Sequence, residues 1–308
     1  MIYTNAEPLP RLAVATALGS PPATTRLGDR AMTVALHLRA WTGSRLDRAV
    51  TKEVLDERRA AGDAGRFEKK IVPPKALEAV TRAHSSARAR HYALTLPWGE
   101  ESVRILSSAA FFEWQQAMNQ ERTACEKAHA EFCAAYPQLV ASAPARLADL
   151  YDHSDFPAAS VIKEKFSFRL VVMPVPDKND FRVNLGSEIE AEIRSSIETT
   201  VRSRYVDAQH DLWARLLDTL KHFAGTMHQE DKVFRNTTVT KLKELARVAP
   251  MLSLAPDPRL TEVCSEILAL TQGLEPDDLR QSKPLRKRAA AEAQAAVTRI
   301  QEAMAGAF

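Results

Sequence analysis

Few residues of this 308-residue chain have types and spacing suited to chemistry. Cys125, His129 and Cys133 recur at four-residue intervals, the spacing that lets two side chains on one helix face share a zinc ion. All three cannot do so together, because eight residues of helix separate Cys125 from Cys133 by about 12 Å. No second Cys/His group is spaced to complete a tetrahedral shell. Cys125 also falls on an apolar seam, where cysteine packs as a small hydrophobe, so the cluster reads as core. No metal or other cofactor is expected. His210-Asp211, His222, His228 and Glu230-Asp231 are acid–base types on or beside one helix. They read as its solvated face, since a general base must meet reacting groups brought from elsewhere. Asp177 and Asp180 fall in a loop, where forming the turn is their expected role. The glycine patterns that bind phosphates and dinucleotides are absent, and so is Gly-x-Ser-x-Gly. No enzymatic activity is expected.

A second cluster is basic: Lys283, Arg286, Lys287 and Arg288 open the final helix. Residues 280–308 hold six Lys/Arg against two Glu, whereas the whole chain carries only +3. Cations at a helix N-terminus oppose its dipole, so contact with nucleic acid or an acidic partner is one reading and a solvated cluster the other. No aromatic residues are interleaved to stack on bases. Hydrophobic and charged contents of 45% and 26% suit an ordinary soluble chain, and ten glycines with 6% aromatics favour helix over a β-rich or α/β enzyme. Three cysteines suit a reducing compartment with no disulfide framework. No apolar run approaches the roughly 18 residues of a membrane span. A cytoplasmic location in a bacterial host, without membrane contact, is expected.

Around these clusters the periodicity sets out the elements. Residues 1–28, with Pro8, Pro10, Pro21 and Pro22, read as an N-terminal arm. Met32, Val34, Leu36 and Leu38 alternate with Thr33, His37 and Arg39, the pattern of a half-buried strand near 32–40. Helices are expected over 45–61, 75–90 and 101–136, with a kink or stop at Pro137 and a shorter helix at 143–152. Phe111, Met118, Cys125, Phe132 and Leu139 recur every seven residues, a coiled-coil seam by spacing. Strands are expected near 166–173 and 181–185. A long helix follows, with a stripe at Ile189, Ile193, Ile197, Val201, Tyr205, Ala208, Leu212, Leu216, Leu220, Phe223 and Met227. Ten steps cover 38 residues, a mean of 3.8 per step, so the stripe drifts round the helix. It is narrow and flanked by Glu, Ser, Thr and Arg before Arg204, and widens after Asp211 to take in Trp213, Leu217 and Ala224. The second half is therefore expected in the body of the protein, and the first half as a two-helix arm or a partner-facing surface. Shorter helices follow at 237–249, from Asp257-Pro258, and at 282–305.

Several short motifs in this order carry a resemblance. They are His37-Leu38-Arg39-Ala40-Trp41-Thr42-Gly43, Thr95-Leu96-Pro97-Trp98, Asp155-Phe156-Pro157, Phe166, Met173-Pro174-Val175-Pro176 and Asp180-Phe181-Arg182-Val183, with Asp211-Leu212-Trp213-x-Arg215 beyond. Over about 30–255 the chain resembles the phage and prophage family called domain of unknown function 3150; Asp155-Phe156-Pro157 stands where that family has a Tyr-Pro element. The resemblance implies a phage or prophage origin and brings no site residues. Members of that family are often encoded beside an ATPase of the MoxR or cobaltochelatase type and a von Willebrand factor A-like protein, which implies an ATPase partner.

The expected fold class is mainly α, with long antiparallel helices of coiled-coil type and a small two- or three-stranded β element. Residues 29–256 are expected to form a helical domain, followed by a C-terminal helical segment at 257–308. The long helix and the heptads at 111–139 are expected to pair with each other. The expected function is a non-enzymatic assembly or adaptor protein of phage type that forms a homo-oligomer, with a MoxR-type ATPase as candidate partner. Its candidate contact residues are Asp180, Phe181, Arg182, Ile189, Ile193 and Ile197. The alternative is a nucleic-acid-binding protein of phage replication or recombination, acting through Lys283, Arg286, Lys287 and Arg288.

Overall fold

The computed structural model describes residues 27–99, 102–229 and 234–305. Most of the expected N-terminal arm thus lies outside the described residues. The fold is mainly α with a small β component, in agreement with the expected class. Strands β1 (Ala31–Arg39), β4 (Leu96–Pro97), β5 (Val103–Ser107) and β6 (Ser167–Pro174) form a sheet of order β4-β5-β1-β6, and β2 (Ser44–Asp47) pairs antiparallel with β3 (Phe67–Lys70). By contacts the chain divides into two units. One takes the chain up to Ala35, Ala93–Phe112 and Val172–Phe308; the other takes Leu36–Tyr92 and Glu113–Val171.

In the first unit, β5 runs antiparallel to β1 with Ala31 opposite Ser107 and Ala35 opposite Val103. The sequence pattern places a helix here, because Ile105 and Leu106 are both apolar and give no alternation. Both are fully buried, and the strand exists because β1 offers it a ladder. β1 lies inside the sheet, so Thr33 and Ala35 are buried along with Val34, and the expected alternation survives only toward its end. Helix α5 (Ser187–His228) is the longest element described. It packs most extensively against α9 (Lys283–Ala305) and then against α6 (Thr237–Leu252); α6 in turn packs on α7 (Pro258–Thr271). Asp257 caps α7 by accepting from the backbone N–H groups of Arg259 and Leu260, with Pro258 at the first helical position.

The main partner of α5 is therefore α9 and not the heptad helix. Ala289, Ala290, Ala293 and Ala296 give α9 a buried face of small side chains, which lets another helix axis come close. The C-terminal helical segment belongs to the same unit as α5. No strand forms at 181–185. Pro174 and Pro176 interrupt the ladder, and side chains of α5 take up backbone groups that a strand partner would use: Arg194 donates to the Phe181 carbonyl and Glu190 accepts from the Leu185 N–H.

The second unit is built on α2 (Glu78–Ala93) and α3 (Phe111–Leu147), with α1 (Arg48–Glu57) and the short α4 (Ala159–Lys163) beside them. α3 continues through Pro137 and Pro144 without stopping. Phe132 and Tyr136 lie in a cluster with Val72, Leu77, Val80, Ile162 and Phe166, and that burial outweighs the lost backbone donors. The heptad seam thus serves a globular core: Cys125 packs with Leu36 and Ala87, and Phe132 with the cluster just named. Lys69 is buried and ties the β2–β3 pair to a distant loop, its ammonium 2.6 Å from Asp155 Oδ2, 3.2 Å from Asp47 Oδ2 and 2.8 Å from the Leu150 carbonyl. Burial opposes its charge, but the two carboxylates outweigh this and hold its pKa above the usual value. No helix among the described residues is long and apolar enough to cross a membrane.

Candidate interaction surface

Helix α5 changes character at its middle. From Ser187 to Arg204 no side chain is buried, whereas from Tyr205 onward Ala208, Leu212, Leu216, Leu220, Phe223 and Met227 are. Drift of a 3.8-residue stripe on a 3.6-residue helix accounts for part of this: the positions that face the α9–α6 side in the second half have rotated away in the first. Segment 177–186 lies back along the unburied half. Lys178 Nζ meets Glu198 Oε2 at 2.7 Å, and Arg194 reaches the Phe181 carbonyl at 3.3 Å. Asp177 Oδ1 accepts from the Asn179 N–H at 2.8 Å, so Asp177 forms a turn as its position suggested. Gly186, with φ of +91°, supplies the left-handed residue that turns the chain into α5.

The candidate contact residues all fall in this region. Ile189 is 51% exposed; Ile193, Ile197 and Phe181 are half-buried; Asp180 and Arg182 are exposed. Five of the eleven exposed large apolar side chains among the described residues occur between 172 and 189: Val172, Met173, Val183, Leu185 and Ile189. Periodicity points to Ile189, Ile193 and Ile197 as the open positions, and of these Ile189 alone is exposed. Val183 and Leu185 were assigned to a strand and were missed, though their place after Pro174-Val175-Pro176 was the available signal.

The basic cluster does not act as one group. Lys283, Lys287 and Arg288 are exposed, and Arg288 pairs with Glu292 one turn on at 2.7 Å. Arg286 is 4% exposed; its guanidinium donates to the carbonyls of Thr226 (3.3 Å) and Gln229 and lies over the Phe234 ring at 5.5 Å. Arg280 lies over the same ring at 5.1 Å. The last carbonyls of a helix lack intrahelical donors and carry partial negative charge. Arg286 meets that need for α5, which explains a cation at the start of α9, where that helix's own dipole disfavours it. Arg286 is thus buried and engaged by the chain's own carbonyls.

Of the remaining chemistry-bearing residues, His129 and Asp211 are held in side-chain pairs, and His222 and His228 are exposed. His129 meets His84 of α2, with the two Nε2 atoms 2.7 Å apart, one ring donating to the other, and Phe166 stacked on His129 at 5.0 Å. Burial lowers both pKa values, that of His84 to about 4, with the neighbouring His129 adding to the shift. Burial pushes the Cys125 thiol up to about 11 and raises Cys133, away from reactive thiolate chemistry. No group of three or more His, Cys, Asp or Glu among the described residues is placed to hold a metal ion. Asp211 is bound to Arg215 at 2.6 Å, and Arg215 with Arg104 donates to the Thr95 carbonyl. Glu230 and Asp231 lie outside the described residues. What this arrangement leaves exposed is a run of apolar side chains at 172–189 beside the unburied half of α5.

Family models, curated proteins and solved structures yield no match to this chain.

Proposed function

We propose that this protein is a non-enzymatic assembly or adaptor component that self-associates through the surface of its first unit formed by residues 172–197. The observation that supports this most is the pairing of an unburied half-helix with five exposed apolar side chains in 18 residues of sequence. Single exposed apolar residues are ordinary; a concentration of them beside a helix with no buried face marks a contact surface. A homo-oligomer buries Val183, Leu185 and Ile189 without requiring any further partner. The resemblance to the phage family adds a MoxR-type ATPase as the machine such an assembly serves. Sedimentation velocity over a dilution series tests the reading. The expected outcome is a sedimentation coefficient that rises with concentration; one 34.2 kDa species throughout the tens-of-micromolar range rules self-association out.

A further inference from the structure

We propose that the cleft beside Trp41 in the second unit is a binding site for a small planar aromatic acid. The cleft has a volume of about 350 Å³, within the range of roughly 300–1,000 Å³ typical of small-molecule sites. Its walls are held by contacts within the protein. The Trp41 indole is held from behind by Tyr136, edge-on at 5.7 Å, and by Phe132 at 6.0 Å. Tyr136 is itself fixed by donating its hydroxyl to the Pro157 carbonyl at 2.9 Å. The loop after Trp41 is pressed onto the floor at Gly43, whose φ is +64°; a Cβ there would stand 2.6 Å from Val72 Cγ2 and 2.9 Å from Leu77 Cδ1. Only glycine brings the backbone this close, and the Gly43 carbonyl accepts the Ile71 N–H at 2.9 Å to hold it there.

The lining selects the ligand class. Val72 and Leu77, both core residues, form an aliphatic floor, and the indole adds a flat wall suited to a stacked ring. The polar side chains are Thr42, Thr81 and Lys70, with no carboxylate in the lining. The Lys70 ammonium is positioned by Ser44 Oγ at 3.0 Å and by Glu68 at 3.4 Å. Lys70 is the one charged side chain of the lining, and with its charge partly balanced by Glu68 it suits a ligand that carries a single negative charge.

Indole-3-acetate is the probe, with tryptamine as the same ring carrying the opposite charge. Titrated against the full chain by ligand-observed NMR, the acid should saturate with a Kd on the order of 1 mM or tighter, as its size implies. Tryptamine should bind at least about fivefold more weakly, and K70M should remove that preference. Thr81 is exposed on the lip of the cleft, so T81W fills the space without disturbing the core and should weaken binding about tenfold or more at unchanged thermal stability. No saturation by roughly 10 mM, far above the affinity expected for a ligand of this size, overturns the proposal. Undiminished binding by a folded T81W protein overturns it equally.

Discussion

The two halves of α5 share one helix and one ladder of backbone hydrogen bonds, and both carry an apolar stripe, yet only one half is packed. From Tyr205 to Met227 the stripe meets α9 and α6 and is buried; from Ser187 to Arg204 nothing is. An amphipathic stripe states that a face wants burial but not what will bury it. In the second half the answer lies in the chain itself, in the alanine-rich face of α9. In the first half, among the described residues, segment 177–186 gives a thin cover, and Val183, Leu185 and Ile189 are left facing water.

Substitutions that contrast the two halves should differ sharply. Phe223→Ala, in the packed half and fully buried, should cost about 3–5 kcal/mol by lost transfer and cavity terms, measured as the urea midpoint at constant m. Acid should act in the second unit on a comparable scale. His84 has a folded pKa of about 4 against 6.5 for a free histidine, so the unfolded chain binds more protons between these values. The pair's stabilisation is complete above pH 6.5 and declines as pH falls toward 4, by on the order of 3 kcal/mol. Replacing both His84 and His129 by leucine should flatten the pH dependence of the unfolding midpoint over that window. Arg286→Ala, which strips the buried donors from the C-terminal carbonyls of α5, should cost about 1–3 kcal/mol. Ile189→Ala, in the unburied half, should change monomer stability by less than about 0.5 kcal/mol. A loss there as large as that of Phe223→Ala would erase the distinction between the halves.

How far these features were legible in the sequence depended on their range. Period-two alternation found β1 and β6, and Asp257-Pro258 found the start of α7, because each signal lies within a few residues. Strand β5 was hidden because Ile105 and Leu106 carry no alternation and its ladder is contributed by residues some 70 positions earlier. The seven-residue spacing at 111–139 was real, but a seam does not say whether a helix or a mixed core fills it; here residues from α2, α4 and the loops do. The change in character of α5 could be read from its polar flanks. Pairs such as His84–His129, 45 residues apart, and Arg286 with Thr226, 60 apart, leave no local trace. Even so, the misfit of a cation at the N-terminus of α9 was a clue that Arg286 served another element.

The most direct test of the account is the mass in solution of the wild-type chain beside a Leu185→Ser/Ile189→Ser variant, measured by light scattering at tens of micromolar. The account predicts a wild-type mass that is a multiple of 34.2 kDa, and a variant of equal helicity that falls to 34.2 kDa. A wild-type protein of 34.2 kDa, or a variant that keeps the wild-type mass, would contradict it.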